Sequence, residues 1–346
     1  MGYEYENKDN TGVGPAEEIA PAVLDVKNLV VHYETTDGVV EAINNVSFSV
    51  GKGEAFGLVG ETGAGKTSIA LSIMGLLPFP PSHIYGGSIK LDGEELISKT
   101  NKIMRTYRGR RLSMIFQDPM TALNPVQTVG VQLIEILKIH TMLSKHEARK
   151  KAIGMLETVG IRPERFDDYP HQLSGGMKQR VVIAMSLLLD PELIIADEPT
   201  TALDVTIQAQ VLDLIKKLQR EHNTSLLLIT HDFGVVAEIC TKCAVIYAGE
   251  IVEMGTVEHI FDDPLHPYTV GLFASLPSIE GDDDQEFLKP IKGRVADPMD
   301  LPGYCTFADR CECCMEKCKE SDSILIEVGE GHFVKCLKYL EGGARS

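Results

Sequence analysis

The clearest chemical pattern in the sequence is the run Gly60–Thr67, which reads GETGAGKT. It fits the phosphate-binding pattern Gly-x-x-x-x-Gly-Lys-[Ser/Thr] of a P-loop, in which glycines let backbone amides turn inward around phosphate oxygens. Lys66 would reach the terminal phosphates, and the Thr67 hydroxyl would coordinate Mg²⁺. An incidental glycine loop is the alternative. We predict an ATP site formed by Gly60, Thr62, Gly63, Ala64, Gly65, Lys66, Thr67 and Ser68.

A second chemical pattern ends the apolar run Leu193–Ala196, which is followed by the carboxylates Asp197 and Glu198. An apolar strand that ends in two acids is the arrangement of a Walker B element, whose first carboxylate helps to hold the metal ion. Glu198 would face the water that attacks the γ-phosphate, as its general base or orienting acceptor. A strand that ends in a solvated acidic turn is the alternative, and the P-loop upstream favours the first interpretation.

The apolar residues around these motifs predict an α/β fold. Residues 23–33 and 39–50 are rich in β-branched residues and flank a Thr-Asp-Gly turn, which predicts an antiparallel hairpin. A short apolar run leads into the P-loop, and a helix is expected after it. Helical periodicity over 128–160 predicts a helical insertion. Two apolar runs at 193–196 and 225–229, separated by an amphipathic helix, predict parallel strands joined by a crossover.

The composition argues against several classes of protein. The chain has 346 residues, 44% of them apolar, and a formal charge of -17, so its surface as a whole would repel nucleic-acid backbones. Nucleic acid is therefore not expected as a partner. The longest apolar stretch, 181–189, is shorter than the ~20 residues that cross a bilayer. The N-terminus lacks the basic and apolar segments of a secretory signal, so we expect a cytoplasmic location.

The run Leu173–Arg180, LSGGMKQR, resembles the signature sequence of ABC ATPases. A second anion site explains such a sequence, because a serine and backbone amides at a helix N-terminus attract phosphate. The resemblance implies that Ser174, Gly175 and Gly176 face the γ-phosphate of an ATP held by a partner subunit. A glycine turn before a helix is the alternative, but it does not explain the order of the other motifs.

Single residues elsewhere match the same family in sequence order. The resemblance implies that Tyr33 stacks on adenine and that Gln117 senses the metal and couples to a membrane partner. It also implies that Asp204 communicates across a dimer and that His231 contacts the γ-phosphate. Each residue alone has an ordinary explanation, such as packing, a turn, a helix cap or a strand end. The resemblance assigns catalysis to Lys66, Glu198 and His231, and Mg²⁺ to Thr67, Gln117 and Asp197.

Three segments resemble the oligopeptide and dipeptide importer branch of the family: FQDPMTALNP at 116–125, YPHQ at 169–172 and HPYT at 266–269. Such importers pair two ATPase subunits with two membrane permeases and an external solute-binding protein. We therefore expect a second ATPase subunit, homologous or identical, and a peripheral location on the cytoplasmic face of the cell membrane. The branch also contains nickel and glutathione transporters, so the sequence does not identify the transported solute.

The resemblance covers about residues 23–340 and implies a RecA-like P-loop NTPase core with an antiparallel β subdomain. It also implies a helical signature subdomain over about 120–190. We predict an ABC ATPase domain over 22–277 and a small Cys-rich accessory domain over 278–346. Residues 1–21 are polar and acidic, which predicts a disordered tail.

Six of the eight cysteines lie between positions 305 and 336. The spacings fit a four-thiolate site, and soft thiolates select zinc or iron-sulfur clusters. Some members of the importer branch hold a [4Fe-4S] cluster in a similar C-terminal segment. Zinc and free thiols are the alternatives, and Cys313 and Cys314 could compete as ligands. We expect a [4Fe-4S] cluster bound by Cys305, Cys311, Cys318 and Cys336.

Other functions fit parts of the sequence. A soluble ABC ATPase that acts on nucleic acid or ribosomes can also carry iron-sulfur clusters, but that function predicts two cassettes in one chain and a basic contact face. An ATP-binding scaffold without hydrolysis is a third hypothesis, and the intact catalytic set argues against it. A further C-x-x-C pair, Cys240 and Cys243, is interpreted as packing. The main prediction is an ATP-hydrolysing subunit that powers an importer of dipeptides or oligopeptides.

Overall fold

A computed structural model of the protein describes residues 22–201, 204–275 and 290–340. The predicted tail over 1–21 lies outside these residues. So does the segment 278–289, with which the predicted C-terminal domain begins.

The strands alternate with helices through most of the chain. In chain order the strands are β1 (Ala22–Thr35), β2 (Gly38–Gly51), β3 (Ala55–Val59), β4 (Ser82–Leu91), β5 (Glu94–Glu95), β6 (Leu112–Ile115), β7 (Leu193–Asp197), β8 (Ser225–Thr230), β9 (Lys242–Tyr247), β10 (Glu250–Thr256), β11 (Ile326–Gly329) and β12 (His332–Val334). The helices are α1 (Lys66–Met74), α2 (Asn101–Tyr107), α3 (Pro119–Ala122), α4 (Val129–His140), α5 (Lys145–Thr158), α6 (Gly175–Leu187), α7 (Val205–His222), α8 (Phe233–Ile239), α9 (Val257–Asp262) and α10 (Pro267–Ala274).

The strands form two sheets. The smaller is antiparallel in the order β2-β1-β4-β5, and its first two strands confirm the predicted hairpin. The larger has the order β11-β12-β10-β9-β3-β8-β7-β6, with parallel pairing from β9 to β6. β7 and β8 are neighbours joined through α7, which confirms the predicted parallel crossover. The α/β fold predicted from the sequence is therefore confirmed.

The central strands are apolar throughout because both faces of the larger sheet are covered. Along β8, Leu226 and Leu228 face a core shared with the helices α6 and α7, whereas Leu227 and Ile229 face a core shared with α1 and the smaller sheet. Removing one such buried leucine side chain costs about 2–5 kcal/mol in unfolding free energy. Because both faces are buried, the register of these strands, and with it the position of each strand end, is closely specified.

The predicted helical insertion is present as α4 and α5, which lead towards α6. α5 begins with a capping box, in which Ser144 and Glu147 each satisfy the other's backbone N–H. α4 packs closely on the short turn that contains Phe166, since a Cβ atom on Gly130 would lie 2.1 Å from that ring. No helix in the described ranges is both long and apolar enough to cross a membrane.

The C-terminal strands belong to the larger sheet: β12 pairs with β10, and β11 pairs with β12. At this junction the buried carboxylate of Glu253 accepts hydrogen bonds from the backbone N–H groups of Leu265 and His266 and bonds to His332. The division into domains at about residue 277 stays a prediction. Cys240 and Cys243 are 8% and 0% exposed, which confirms that they pack in the core.

Candidate functional site

The site lies where parallel strands end at one edge of the larger sheet. The P-loop follows β3 directly, and Gln117, Glu198 and His231 come within two residues of the ends of β6, β7 and β8. Parallel neighbours end on the same side, so residues far apart in sequence meet there, as at the ligand sites of other open α/β sheets.

The glycines of the P-loop are required by close approaches of the backbone. A Cβ atom on Gly60 would lie 2.3 Å from the carbonyl oxygen of Ile246, and one on Gly65 would lie 2.4 Å from that of Ala42. Gly65 also has φ 98°, a left-handed conformation that precedes the start of α1. The loop therefore curls against the sheet and directs the N-terminus of α1 towards the space where phosphates would bind.

Lys66 is buried inside the curl of the loop. Its Nζ donates to the carbonyl oxygens of Gly60 at 2.7 Å and Glu61 at 3.0 Å. Burial lowers the pKa of Lys66, an effect that the nearby carboxylates of Glu198 and Asp197 oppose. An ammonium group held among carbonyl oxygens can exchange them for phosphate oxygens, which interact with it more strongly.

Asp197 is 3% exposed at the end of β7 and bonds to the side chain of Thr67. Burial raises the pKa of Asp197 above its ordinary value, the neighbouring Glu198 adds to this effect, and the bond to Thr67 opposes it. The structure thus brings together the predicted metal ligands Thr67 and Asp197. A hydroxyl and a carboxylate are oxygen ligands of the kind that Mg²⁺ accepts alongside phosphate oxygens and water.

Glu198 is the meeting point of three side chains. Its Oε2 accepts hydrogen bonds from Gln117 Nε2 at 2.8 Å and from the Thr201 hydroxyl at 2.9 Å, and its Oε1 lies 3.3 Å from His231 Nδ1. The residue has φ 45°, a conformation uncommon outside glycine, and its N–H donates to the carbonyl oxygen of Ile229. This turn directly after β7 places the carboxylate between the ends of β6 and β8.

Tyr33, the predicted adenine-stacking residue, lies on β1 of the smaller sheet. Its hydroxyl hydrogen bonds to the Ser68 hydroxyl at 2.9 Å. Since Ser68 belongs to the first turn of α1, this bond connects the smaller sheet to the P-loop. The ring therefore stands beside the predicted phosphate site, and its stacking on adenine stays a prediction.

Comparisons with known proteins agree on one family. Residues 43–201 match the family described as ABC transporter, and residues 252–318 match the one described as Oligopeptide/dipeptide transporter, C-terminal region. The oligopeptide transport ATP-binding protein AppD of Bacillus subtilis (strain 168) is 48% identical over 93% of this chain and 98% of its own. The dipeptide transport ATP-binding protein DppD of the same organism is 48% identical over 91% and 94%. The chain belongs to this family of peptide-transport ATP-binding proteins.

Other members and solved structures extend this assignment. The oligopeptide transport ATP-binding protein OppD of Escherichia coli (strain K12) is 44% identical over 94% of this chain and 96% of its own. An ATP-binding cassette solved as a dimer in a post-hydrolysis state with ADP and Pi matches with a TM-score of 0.61 and 26% identity, covering 68% of this chain and 98% of that one. The resemblance to ABC ATPases and the predicted fold class are thereby confirmed, apart from the separate Cys-rich domain.

The ABC signature begins α6, as the sequence predicts. Ser174 is the N-cap of this helix, and its hydroxyl accepts from the N–H of Met177 at 3.4 Å. Gly176 packs against Ile207 of α7, because a Cβ atom there would lie 2.6 Å from the Ile207 side chain. Asp204 caps α7 by accepting from the N–H of Ile207. The signature and the aspartate predicted to act across a dimer are therefore neighbours at two helix N-termini.

The predicted cysteine ligands line one pocket together with Cys313. Burial raises the pKa of the Cys305 thiol to about 11 and that of the Cys311 thiol to about 12. Within the described part of the chain, no three His, Cys, Asp or Glu side chains are arranged to hold a single metal ion. The comparisons and the structure give no support to zinc or to an iron-sulfur cluster in this family member beyond that shared pocket.

Sequence reasoning missed three residues of the site. Thr201 shares the Glu198 carboxylate with Gln117. Tyr268 and Arg310 bind Glu61 of the P-loop from the C-terminal part of the chain. Two threonines follow the Asp-Glu-Pro turn, and the second of them is Thr201. Tyr268 lies in the segment HPYT, to which sequence reasoning gave no role in the site, and no local pattern marks Arg310.

Proposed function

We propose that this ABC protein binds and hydrolyses ATP to power the import of dipeptides or oligopeptides. The observation that carries the proposal is the convergence of Gln117 and His231 on the Glu198 carboxylate, directly beside the pair formed by Thr67 and Asp197. A general base, a charge-stabilising side chain and a metal-binding carboxylate are what phosphoryl transfer to water requires.

Each residue has one role in the proposed mechanism. Lys66 gives up its carbonyl partners to bind the terminal phosphates, while Thr67, Asp197 and Gln117 would hold Mg²⁺, which would supply positive charge to the phosphates. Glu198 orients the attacking water and accepts its proton, while His231 contacts the γ-phosphate. Since Gln117 Nε2 donates to Glu198 Oε2 at 2.8 Å, the amide oxygen is the atom left to bind the metal.

The site is completed by a second ATPase subunit in this proposal. Ser174, Gly175 and Gly176 present the N-terminus of α6, which is an anion site. The partner's signature would cover the ATP bound at one P-loop, and the reverse would hold at the other. In support, a structure similar to this chain is described as a dimer of ATP-binding cassettes with ADP and Pi. The partner is either a homologue or a second copy of this chain.

Transport requires partners in the membrane. We place the protein at the cytoplasmic face of the cell membrane, where it would drive two permease subunits supplied by an extracytoplasmic solute-binding protein. The names of its relatives, oligopeptide and dipeptide transport ATP-binding proteins, support peptides as the solute. Nickel, glutathione or another solute is the alternative within the same mechanism.

The test is the ATPase rate of the chain purified with its permeases in lipid vesicles. The solute-binding protein is added with short peptides, NiCl₂ or glutathione. We expect stimulation by peptides of two to a few residues. Stimulation by nickel or glutathione alone would contradict the peptide assignment. An ATPase rate that does not change with any solute-loaded binding protein would contradict coupling to import.

We also propose that Cys305, Cys311, Cys318 and Cys336 hold a [4Fe-4S] cluster, with zinc as the alternative. Four cysteine side chains around one pocket support this, because each would bind a different iron as a thiolate, so they need not approach one another as closely as around one zinc ion. Anaerobically purified protein should then contain about four irons per chain and absorb broadly near the blue edge of the visible range. Stoichiometric zinc without iron would contradict the cluster.

A further inference from the structure

The P-loop residue Glu61 is held by the C-terminal part of the chain. Nη1 and Nη2 of Arg310 donate to the two carboxylate oxygens of Glu61 at 2.8 and 3.2 Å. The backbone N–H of Glu61 donates to the hydroxyl of Tyr268 at 3.1 Å. The carbonyl oxygen of Glu61 accepts from Lys66 Nζ at 3.0 Å. The backbone N–H, the carbonyl oxygen and the side chain of Glu61 are thus all fixed, and the N–H and the side chain are fixed by residues more than 200 positions later.

Arg310 is itself fixed on several sides. Its side chain is 6% exposed, whereas that of Glu61 is 29% exposed. Nε donates to the carbonyl oxygen of Lys292, and the guanidinium carbon lies 5.6 and 5.9 Å from the ring centres of Tyr247 and Phe307. A planar guanidinium packed against two rings keeps its N–H groups in one orientation. Arg310 therefore holds Glu61 in place before any nucleotide is bound.

The Tyr268 contact stays available at every physiological pH. Burial, with a smaller contribution from the Glu61 charge, raises the pKa of Tyr268. The neutral hydroxyl therefore remains the acceptor of the Glu61 N–H. Its ring packs against Tyr247 and Phe307, the same two rings that face Arg310. The two residues that hold Glu61 thus pack against the same pair of aromatic rings.

The charge of Glu61 matters because the P-loop receives the anionic phosphates of ATP. A carboxylate in that loop repels phosphate unless a fixed cation compensates it. We infer that Arg310 is a positioning residue of the ATP site, which neutralises the Glu61 carboxylate so that the P-loop can receive the phosphates. The inference rests on the proposed function, because it concerns the affinity of the same site for ATP.

The test is the Kd of ATP for the nucleotide-free full-length chain, measured by calorimetry, with kcat and KM of the ATPase alongside. Arg310→Met should raise Kd and KM about tenfold and change kcat little, since the groups around the γ-phosphate are untouched. The Kd of Arg310→Lys should fall between those of the wild type and Arg310→Met, because lysine keeps the charge and loses the bidentate geometry. The double variant Glu61→Gln/Arg310→Met should return to near the wild-type Kd, because no carboxylate then needs compensation.

Glu61→Gln alone separates charge from structure. It should bind ATP at least as tightly as the wild type, because Arg310 then adds positive potential to the phosphate site. Binding about tenfold weaker in Glu61→Gln would overturn the inference, as would an unchanged Kd in Arg310→Met or a double variant as weak as Arg310→Met. A wild-type chain that binds no ATP would refute the proposed function itself, which keeps the two failures distinct.

Arg111→Met is the matched control. Arg111 makes a bidentate pair with Glu192 at 2.7 and 3.0 Å. The two residues directly precede the parallel strands β6 and β7, so the pair lies at the opposite edge of the sheet from the P-loop. Its loss should leave the Kd of ATP unchanged. Tenfold weaker ATP binding in this control would overturn the inference, because the loss would then not depend on the P-loop.

Discussion

The side-chain amide of Gln117 donates to the carboxylate of Glu198 at 2.8 Å. In the proposed mechanism, the oxygen of the same amide would bind the metal when ATP is present, so Gln117 would connect the metal to Glu198. The loop after β6 would then gain a contact that exists only with nucleotide bound, which is the kind of differential contact that coupling to a partner needs.

The proposed metal contact predicts the effect of Gln117→Leu. We expect kcat to fall by about tenfold or more, because a metal ligand is lost, while ATP binding without Mg²⁺ stays unchanged. Thr201→Val is the matched control, because it removes a hydrogen bond to the same Glu198 oxygen without touching the metal. Equal losses of kcat in the two variants would show that the bond to Glu198, and not a metal contact, is what matters.

Asp197 gives a prediction about stability and pH. Burial raises its pKa above the ordinary 3.8, so the folded protein holds the proton more tightly than the unfolded chain does. Between those two pKa values, the free energy of unfolding falls as the pH rises. Asp197→Asn should therefore raise the free energy of unfolding at pH 7 by about 1 kcal/mol, which moves the unfolding midpoint to a higher denaturant concentration. The same variant should lose activity.

The advantage of Asp197→Asn should disappear below about pH 3, where the aspartate is protonated in both states. The measurement is urea unfolding of the nucleotide-free protein at several pH values. A variant that is less stable than the wild type at pH 7 would contradict this account of the Asp197 environment.

The cysteine pocket predicts which thiols the cluster needs. Cys318 lines the pocket, whereas the Cys314 thiol donates to the carbonyl oxygen of Met315. Cys318→Ala should lose the iron and the visible absorption, and Cys314→Ser should keep both. The reverse result, or iron retained in both variants, would contradict the proposed ligand set.

The sequence predicted the parts of the site that follow strands. Each P-loop and Walker B residue stands directly after an apolar run, and local pattern was enough to place it at a strand end. The contact between Arg310 and Glu61 could not be predicted in this way, because the residues are 249 positions apart and an ion pair leaves no periodic signal. The strands β11 and β12 were not predicted either, since three or four residues are too few to show a pattern.

The central claim is that Glu198 activates water at an ATP site shared by two subunits. Glu198→Gln tests it most directly, because the amide keeps the size of the side chain and removes the base. Incubated with ATP and Mg²⁺, together with its partner subunit if that is a homologue, the variant should run as a dimer in size-exclusion chromatography, retain ATP and show no turnover. A variant that hydrolyses ATP at the wild-type rate, or that binds ATP and stays monomeric, would contradict the account.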